Sequence, residues 1–156
     1  MRTPKQQSAK MVDVGTKRIT VREAAAAGVI LMSPATLKVI AEGKLPKGDA
    51  LSTAEIAGLL AAKQTPNLLP LCHTVPIEKA TVQAECDPAL PGVRVSAEIR
   101  GRARTGFEME ALVAVATALL TIYDMAKAID PEMIISDISL QRKSGGKSGK
   151  WARKVK

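Results

Sequence analysis

Aromatic side chains are nearly absent from this sequence of 156 residues, which has one Phe, one Tyr and one Trp. Modules that bind single-stranded nucleic acid or RNA stack the bases on aromatic rings, so the sequence argues against base stacking as the main function. Histidine and cysteine are also scarce, with His73, Cys72 and Cys86 the only examples. Because a disulfide framework or a structural zinc site needs more ligands than these, we expect reduced cysteines and no tightly bound transition metal.

The net charge of +8 is concentrated at the two ends of the chain. Residues 1–22 carry six basic side chains and one acidic, residues 142–156 carry seven and none, and residues 23–141 are net acidic. A basic nucleic-acid groove would place the excess in the folded core. We therefore expect no specific nucleic-acid partner, whereas a phosphorylated small molecule fits this distribution. The basic ends, about 1–10 and 144–156, are predicted to be flexible.

Length and composition predict one folded domain over residues 1–156, since 46% of the residues are hydrophobic and 24% are charged. The first ten residues are polar and lack the apolar segment of a secretory signal, so we expect a cytoplasmic protein. The apolar segment between Glu110 and Asp124 has thirteen residues. Because a bilayer-spanning helix needs about 20, we expect no membrane association.

Caps and helix breakers predict two helices in the first half of the chain. Residues 21–32 fit either a helix or a strand. Ser33 is expected to cap a short helix that Gly43 ends. The next helix is expected to have Ser52 or Thr53 as its cap and to end at Pro66. Residues 68–77 then form a shaped and largely buried loop.

Alternating polar and apolar residues predict strands at 79–86, from Val93 onward and at 133–141, the first two forming an antiparallel pair. Between the second and third lies the longest predicted helix, about 105–129. Its centre is apolar on nearly every side, so we expect burial in the core and in a subunit interface.

Polar residues at the two ends of this helix raise the question of a catalytic site. Taken singly, Glu108 and Glu110 complement the helix N-terminus, and Asp124 and Lys127 form an ordinary pair on one helix face. On an unbroken helix, Glu110 and Asp124 lie about 21 Å apart on the same side, too far to touch. If both serve one site, antiparallel packing of two subunits brings them together. We therefore predict a composite site between subunits.

Two other segments have the composition of functional motifs. Leu71, Cys72 and His73 lie on the proline-shaped loop, but sequence neighbours need not face each other, so we do not expect covalent catalysis by the cysteine. The segment KSGGKSG, residues 143–149, is not a Walker A loop, because Gln141 stands where the first glycine is required. A lysine- and glycine-rich strand end of this kind, or Lys47 in its own loop, fits over a triphosphate.

Six sequence blocks in order resemble one known family. They are MVDVGTKRITVREA, KGDALSTAEIAGLLAAKQT, LLPLCH, TGFEMEAL, LTIYDMAKAID and KSGGKSG. Together they resemble the cyclic pyranopterin monophosphate synthase family, called MoaC, of molybdenum-cofactor biosynthesis, over residues 11 to 151. The resemblance implies an α+β, ferredoxin-like antiparallel sheet packed with helices, including one long interface helix. It also implies a hexamer built as a trimer of dimers, with active sites at the dimer interfaces.

The activity implied by the resemblance is conversion of 3′,8-cyclo-7,8-dihydroguanosine triphosphate to cyclic pyranopterin monophosphate with release of pyrophosphate. No cofactor is required for this reaction, although Mg²⁺ is compatible with a triphosphate. By motif, the catalytic residues are Asp124, Lys127 and Lys47. The residues expected to bind substrate are Leu71, Cys72, His73, Glu108, Met109, Glu110, Lys143 and Arg22.

Roles follow from the same resemblance. Asp124 is the acid/base assisted by Lys127, while Lys47 and Lys143 hold the triphosphate and offer protons. A lysine near other cations is expected to have a lowered pKa and to act as an acid near neutrality. The sequence departs from the family pattern at Thr74 and Phe107, and we expect Phe107 to fit only if the start of the helix has spare room.

The sequence also allows two other hypotheses. One is a non-enzymatic oligomer that binds nucleotides or nucleic acid through the basic ends. The other is an oligomeric scaffold of the same fold that has lost activity, with Phe107 and Thr74 as the lesions.

Overall fold

A computed structural model describes residues 8–154, and residues 1–7 and 155–156 of the predicted flexible ends lie outside this range. The chain forms one antiparallel sheet with helices packed on it, in an α+β arrangement, as predicted. In chain order the elements are β1 (Thr20–Leu31), α1 (Pro34–Ala41), α2 (Ala50–Leu68), β2 (Ile77–Asp87), β3 (Gly92–Ala103), α3 (Glu108–Ala126), β4 (Ile134–Ser144) and β5 (Trp151–Ala152).

The sheet has the strand order β2-β3-β1-β4-β5, with every neighbouring pair antiparallel. Short α1 and then α2 follow β1, and α3 follows the β2–β3 hairpin; apart from α1, this is the β-α-β-β-α-β succession of ferredoxin-like folds. Short β5 adds an edge strand to this plan. The antiparallel pair predicted from alternation is β2 with β3, and residues 133–141 fall largely in β4.

Residues 21–32, which fit a helix or a strand, form most of β1. Alternate residues of this strand, including Ala24, Ala26 and Ile30, are buried against the helices. In β3 the same alternation buries Val93 and Val95. Residues 21–32 form a strand because they lie between β3 and β4, where only an extended segment satisfies the backbone hydrogen-bonding groups of both neighbours.

Helix α1 begins as predicted, because the Ser33 side chain accepts a hydrogen bond from Thr36 N. The cap predicted for α2 is wrong. Asp49 caps that helix by accepting from Leu51 N and Ser52 N, while the Ser52 hydroxyl donates to the Asp49 carboxylate. A carboxylate one turn earlier therefore captures the free N–H groups that a hydroxyl was expected to satisfy.

Pro66 does not end α2, which continues to Leu68. Proline removes one hydrogen bond, but its fixed φ is helical, and only two further helical residues follow it. The loop beyond the helix is less buried than predicted. Leu71 is 47% exposed and Cys72 and His73 are half-buried, because this segment lies at the surface of a single chain.

Helix α3 contains 19 residues, the same length as α2, so it is not the single longest helix. By length and composition alone it could cross a membrane, but half of it is buried inside the protein, where it packs against α2 and the sheet. One side stays open to solvent. A row of residues one turn apart lies along that side: Met109, Val113, Ala116, Leu120 and Asp124.

The predicted all-round burial of α3 is therefore incomplete in a single chain, where Leu120 is 59% exposed. The start of the helix does accommodate Phe107, which is fully buried. The necessary room comes from Gly101, since a Cβ there would lie 2.7 Å from Phe107 Cζ. A glycine on the neighbouring strand thus offsets the larger side chain.

The basic C-terminal segment reverses direction over residues 145–149 and returns as β5, which pairs with Arg142 and Lys143 of β4. Part of the segment predicted as a tail thus lies at the edge of the sheet.

Candidate active site

The three predicted catalytic residues meet at the C-terminal end of α3. The Asp124 carboxylate lies between two ammonium groups, with Oδ2 2.6 Å from Lys47 Nζ and Oδ1 2.7 Å from Lys127 Nζ. Lys47 Nζ also lies 3.3 Å from the carbonyl oxygen of Asp124. All three side chains are about half exposed, which leaves the group accessible to a ligand.

These ion pairs fix the charge state of the cluster. Hydrogen bonds from Lys127 and Lys47 lower the pKa of Asp124 from 3.8 to about 2, so the carboxylate is ionised at neutral pH. The expectation of a lysine with a lowered pKa is wrong for Lys127. Its hydrogen bond to Asp124 raises the pKa above the ordinary value, because its nearest charge is an anion rather than another cation.

Lys47 reaches the cluster from a tight turn that precedes α2. Gly48 has φ of +100°, a conformation that favours glycine, and its N–H donates to the carbonyl of Leu45. The turn places Asp49 at the start of α2 and Lys47 next to Asp124, 77 positions along the chain. The Lys-Gly-Asp motif therefore builds the helix cap and positions a cation.

A cleft of about 570 Å³ lies at the opposite end of α3. The loop after α2 forms one wall, and the segment that leads into α3 forms the other. The predicted substrate-binding residues in its lining are Leu71, Cys72, His73, Glu108 and Met109. The imidazole of His73 is held by a 2.7 Å hydrogen bond from Nε2 to the carbonyl oxygen of Val12, and that bond orients the ring.

Glu110 lies beneath this cleft with an incompletely satisfied carboxylate. The residue is 1% exposed, Oε1 is 3.9 Å from the sulfur of Cys72, and Oε2 has no hydrogen-bond partner among residues 8–154. Burial raises the pKa of Glu110, and burial together with Glu110 raises the pKa of the Cys72 thiol. A neutral thiol is a poor nucleophile, which agrees with the prediction against covalent catalysis.

Glu108 connects the start of α3 to β4 through a 2.9 Å ion pair with Lys143. Burial acts to raise the pKa of Glu108, but the hydrogen bond and charge of Lys143, with the charge of Arg22, bring it below the ordinary value. Arg22 itself donates to the backbone carbonyls of Ala103 and Arg104, so its guanidinium is held in place.

A basic pocket of about 700 Å³ adjoins Arg22 and was missed by the sequence analysis as a binding site. Its lining residues are Lys17, Arg18, Thr20, Arg22, Gly146, Lys147 and Ser148. Residues 17–22 and 146–148 meet here because β1 and β4 are antiparallel neighbours, with Glu23 opposite Ser144. The sequence signal for this pocket is the positive charge of residues 1–22 and 142–156. It points to a shared site only if the strands next to these segments are expected to pair.

The predicted site residues thus form two groups within one chain. The first consists of Lys47, Asp124 and Lys127, and the second surrounds the cleft and the basic pocket. The two groups lie at opposite ends of α3, and Glu110 and Asp124 are about 21 Å apart along its axis. Across residues 8–154, three or more His, Cys, Asp or Glu side chains nowhere come together as a group able to hold a metal ion.

Comparisons with known proteins agree with these motifs. The profile described as the MoaC family matches residues 11–146. A protein of Nostoc sp. named cyclic pyranopterin monophosphate synthase is 53% identical over 146 residues, which cover 94% of this chain and 87% of that protein. Proteins of the same name from Chloroflexus aurantiacus and Methylobacterium sp. are 52% and 53% identical over 93% of this chain, and the matches cover 89% and 91% of their own lengths.

Proposed function

The chain belongs to the MoaC family, and we propose from this premise that it is a cyclic pyranopterin monophosphate synthase of molybdenum-cofactor biosynthesis. It is an enzyme that converts 3′,8-cyclo-7,8-dihydroguanosine triphosphate to cyclic pyranopterin monophosphate and releases pyrophosphate, as a phosphorus–oxygen lyase. The observation that carries this proposal is the Asp124 carboxylate held between Lys47 and Lys127 in a chain 52–53% identical to named synthases.

In this proposal Asp124 begins the reaction as a base. Its pKa of about 2 means that it carries no proton at neutral pH, so it first accepts one from substrate. Lys127 and Lys47 contact this carboxylate through their ammonium groups, and we assign them to donate protons to the substrate later in the reaction. An acid role for Asp124 therefore follows only after its first proton transfer.

Release of pyrophosphate is the step that needs positive charge. A substrate hydroxyl attacks the α-phosphorus, the bond from that phosphorus to the bridging oxygen breaks, and the electron pair leaves with pyrophosphate. The hydroxyl proton passes to a base. We assign stabilisation of the leaving charge to Lys47, Lys143 and Arg22, and we add Lys17 and Lys147 because they line the same basic pocket as Arg22.

The cleft at the start of α3 is the proposed site for the ring system. Leu71, Cys72 and Met109 offer apolar contact, and the half-buried imidazole of His73 offers a polar group. Oε2 of Glu110 has no hydrogen-bond partner among the described residues, and this supports a role in binding, because a buried carboxylate oxygen gains from a donor group on a ligand.

We propose that the complete site forms between two subunits. The open row of α3, from Met109 to Asp124, is mostly apolar and connects the two groups of site residues. A second copy packed antiparallel along it buries Leu120 and brings its Asp124 to the cleft of the first. A cytoplasmic hexamer made as a trimer of dimers, with no cofactor beyond Mg²⁺ carried by the triphosphate, completes the proposal.

Turnover of the cyclic triphosphate by Asp124→Asn and wild type tests the assignment. We expect the variant to lose turnover while keeping its assembly, as measured by light scattering. Asp137→Asn is the matched control, since Asp137 lines a separate depression on the sheet and should leave turnover unchanged. Full activity of Asp124→Asn would refute the catalytic role, and nucleotide binding without turnover by wild type would favour a non-enzymatic binder.

A further inference from the structure

The loop after α3 is tied to the start of α1 by one carboxylate, that of Asp130. Asp130 Oδ2 accepts from the backbone N–H of Ser33 at 3.0 Å and from the hydroxyl of Thr36 at 3.0 Å. Hydrogen bonds from Ser33, together with that of Thr36, outweigh burial and lower the pKa of Asp130, so the carboxylate is ionised. Its charge faces the positive end of α1, where an anion is favoured.

This carboxylate connects the two chain segments that carry the lysines of the Asp124 cluster. Lys127 lies three residues before Asp130, at the end of α3. Lys47 follows α1 and the turn beyond it. Over residues 8–154, Asp130 is the only side chain from another element that hydrogen-bonds to the first turn of α1. The tie therefore joins the segment that precedes Lys47 to the segment that follows Asp124, in addition to the packing of α2 on α3.

The Asp130 end of the tie is itself held firmly. The N–H of Asp130 donates to the carbonyl of Ala126, and the Tyr123 hydroxyl donates to the carbonyl of Pro131 at 2.9 Å. Thr36, the other end, is 3% exposed and also hydrogen-bonds to the Ser33 hydroxyl at 2.8 Å. Both ends are thus anchored, which a positioning role requires.

We propose that Asp130 is a positioning residue for the reaction, which fixes α1 against the end of α3 and so holds Lys47 beside Asp124. The proposal rests on the proposed function for its kinetic consequences. Asp130 touches neither Lys47 nor Asp124, so its effect is indirect. Displacement of a catalytic group by about 1 Å can cost up to about a hundredfold in rate.

A double-mutant cycle in kcat separates positioning from a general structural effect. Asp130→Ala should lower kcat about tenfold or more in wild type and in Lys143→Ala, whose lysine belongs to the other group. In Lys47→Ala, where the group to be positioned is already gone, we expect almost no further loss. Equal losses in all three backgrounds would overturn the proposal.

Conservative variants keep the test valid if Asp130→Ala folds poorly. Thr36→Val removes the hydroxyl that bonds Asp130 and Ser33 but nearly keeps the side-chain shape, and it leaves the Ser33 N–H bond to Asp130 in place, so we expect a smaller fall in kcat. Asp130→Asn keeps an acceptor oxygen and should retain more activity than Asp130→Ala. Asp87→Ala is the matched control, because Asp87 also accepts a turn N–H, from Ala89, but lies on the β2 side of the sheet.

A readout independent of turnover distinguishes this proposal from the proposed function. Carbon-13 NMR of the Asp124 carboxyl group reports its pKa, which we expect to rise toward 3.8 in Asp130→Ala as Lys47 moves away. The change should be absent in Asp87→Ala. An unchanged Asp124 pKa in a folded Asp130→Ala would overturn the positioning role even if wild type has no activity on the cyclic triphosphate.

Discussion

Mixing two inactive variants tests whether the site is shared between subunits. Asp124→Asn removes the proposed base at one end of α3, and Glu110→Gln alters the buried carboxylate at the other end, about 21 Å away in the same chain. If Asp124 of one subunit serves the cleft of its partner, a mixed dimer has one doubly altered site and one site with both native residues. Random mixing in equal amounts then gives native residues in about one quarter of all sites.

The assay uses co-expressed variants with different affinity tags and measures turnover of the cyclic triphosphate. Purification through both tags in turn isolates mixed assemblies, and we expect their activity to lie well above that of either variant alone. Asp137→Asn mixed with wild type shows whether the tags or the exchange affect turnover. Activity no higher than that of the single variants, in assemblies shown to contain both chains, would refute the shared site.

Three further predictions concern single chains. Phe107→Ala should reduce the free energy of unfolding by about 3–5 kcal/mol, since Phe107 is fully buried; urea denaturation measures this, and a loss below about 1 kcal/mol would contradict tight packing. Because burial raises the pKa of Glu110 in the folded state, the free energy of unfolding is highest below the unfolded pKa of about 4.5 and falls as pH rises through the folded-state pKa. Glu110→Gln should therefore be more stable than wild type at about pH 8 but not at about pH 4. Because the pKa of Asp124 is lowered to about 2, its ion pairs stabilise the fold above about pH 3.8, and this stabilisation is lost as pH falls to about 2. Lys127→Met should raise the pKa of Asp124 toward 3.8, as measured by carbon-13 NMR. An unchanged pKa would refute the contribution of Lys127.

Most of the sheet could be predicted from the sequence because one of its faces is buried. Alternation marked β2, β3 and β4 since their inward residues are apolar and their outward residues are polar. In β1 the run Ala24–Ala27 has no polar partner residues, so its period could not be read. Its strand state depends on pairing with β3 and β4, which lie more than 60 positions away.

Local signals also competed in ways that only the folded chain decides. Asp49, Ser52 and Thr53 all qualify as helix caps, and the turn at Gly48 selects the first. Pro66 ends many helices, but here packing of α2 against α3 continues the helix for a further two residues. Competing signals of this kind make the ends of helices harder to predict from sequence than the helices themselves.

The separation of Glu110 and Asp124 could be predicted because it depends only on helix rise. The clamp of Lys47 and Lys127 on Asp124 could be anticipated in part, since Lys127 is one turn away, but Lys47 is joined by the tertiary fold. The basic pocket was missed because its residues come from segments that are distant in sequence and meet through the β1–β4 pairing.

The most direct test of the proposed function is to incubate wild-type protein with 3′,8-cyclo-7,8-dihydroguanosine triphosphate and to measure two products in the same samples. These are pyrophosphate and the fluorescent pterin obtained after oxidation. We predict that they appear in equal amounts and at the same rate as substrate disappears. Substrate that is bound but unchanged, or pyrophosphate released without the pterin, would contradict the assignment of this chain as a cyclic pyranopterin monophosphate synthase.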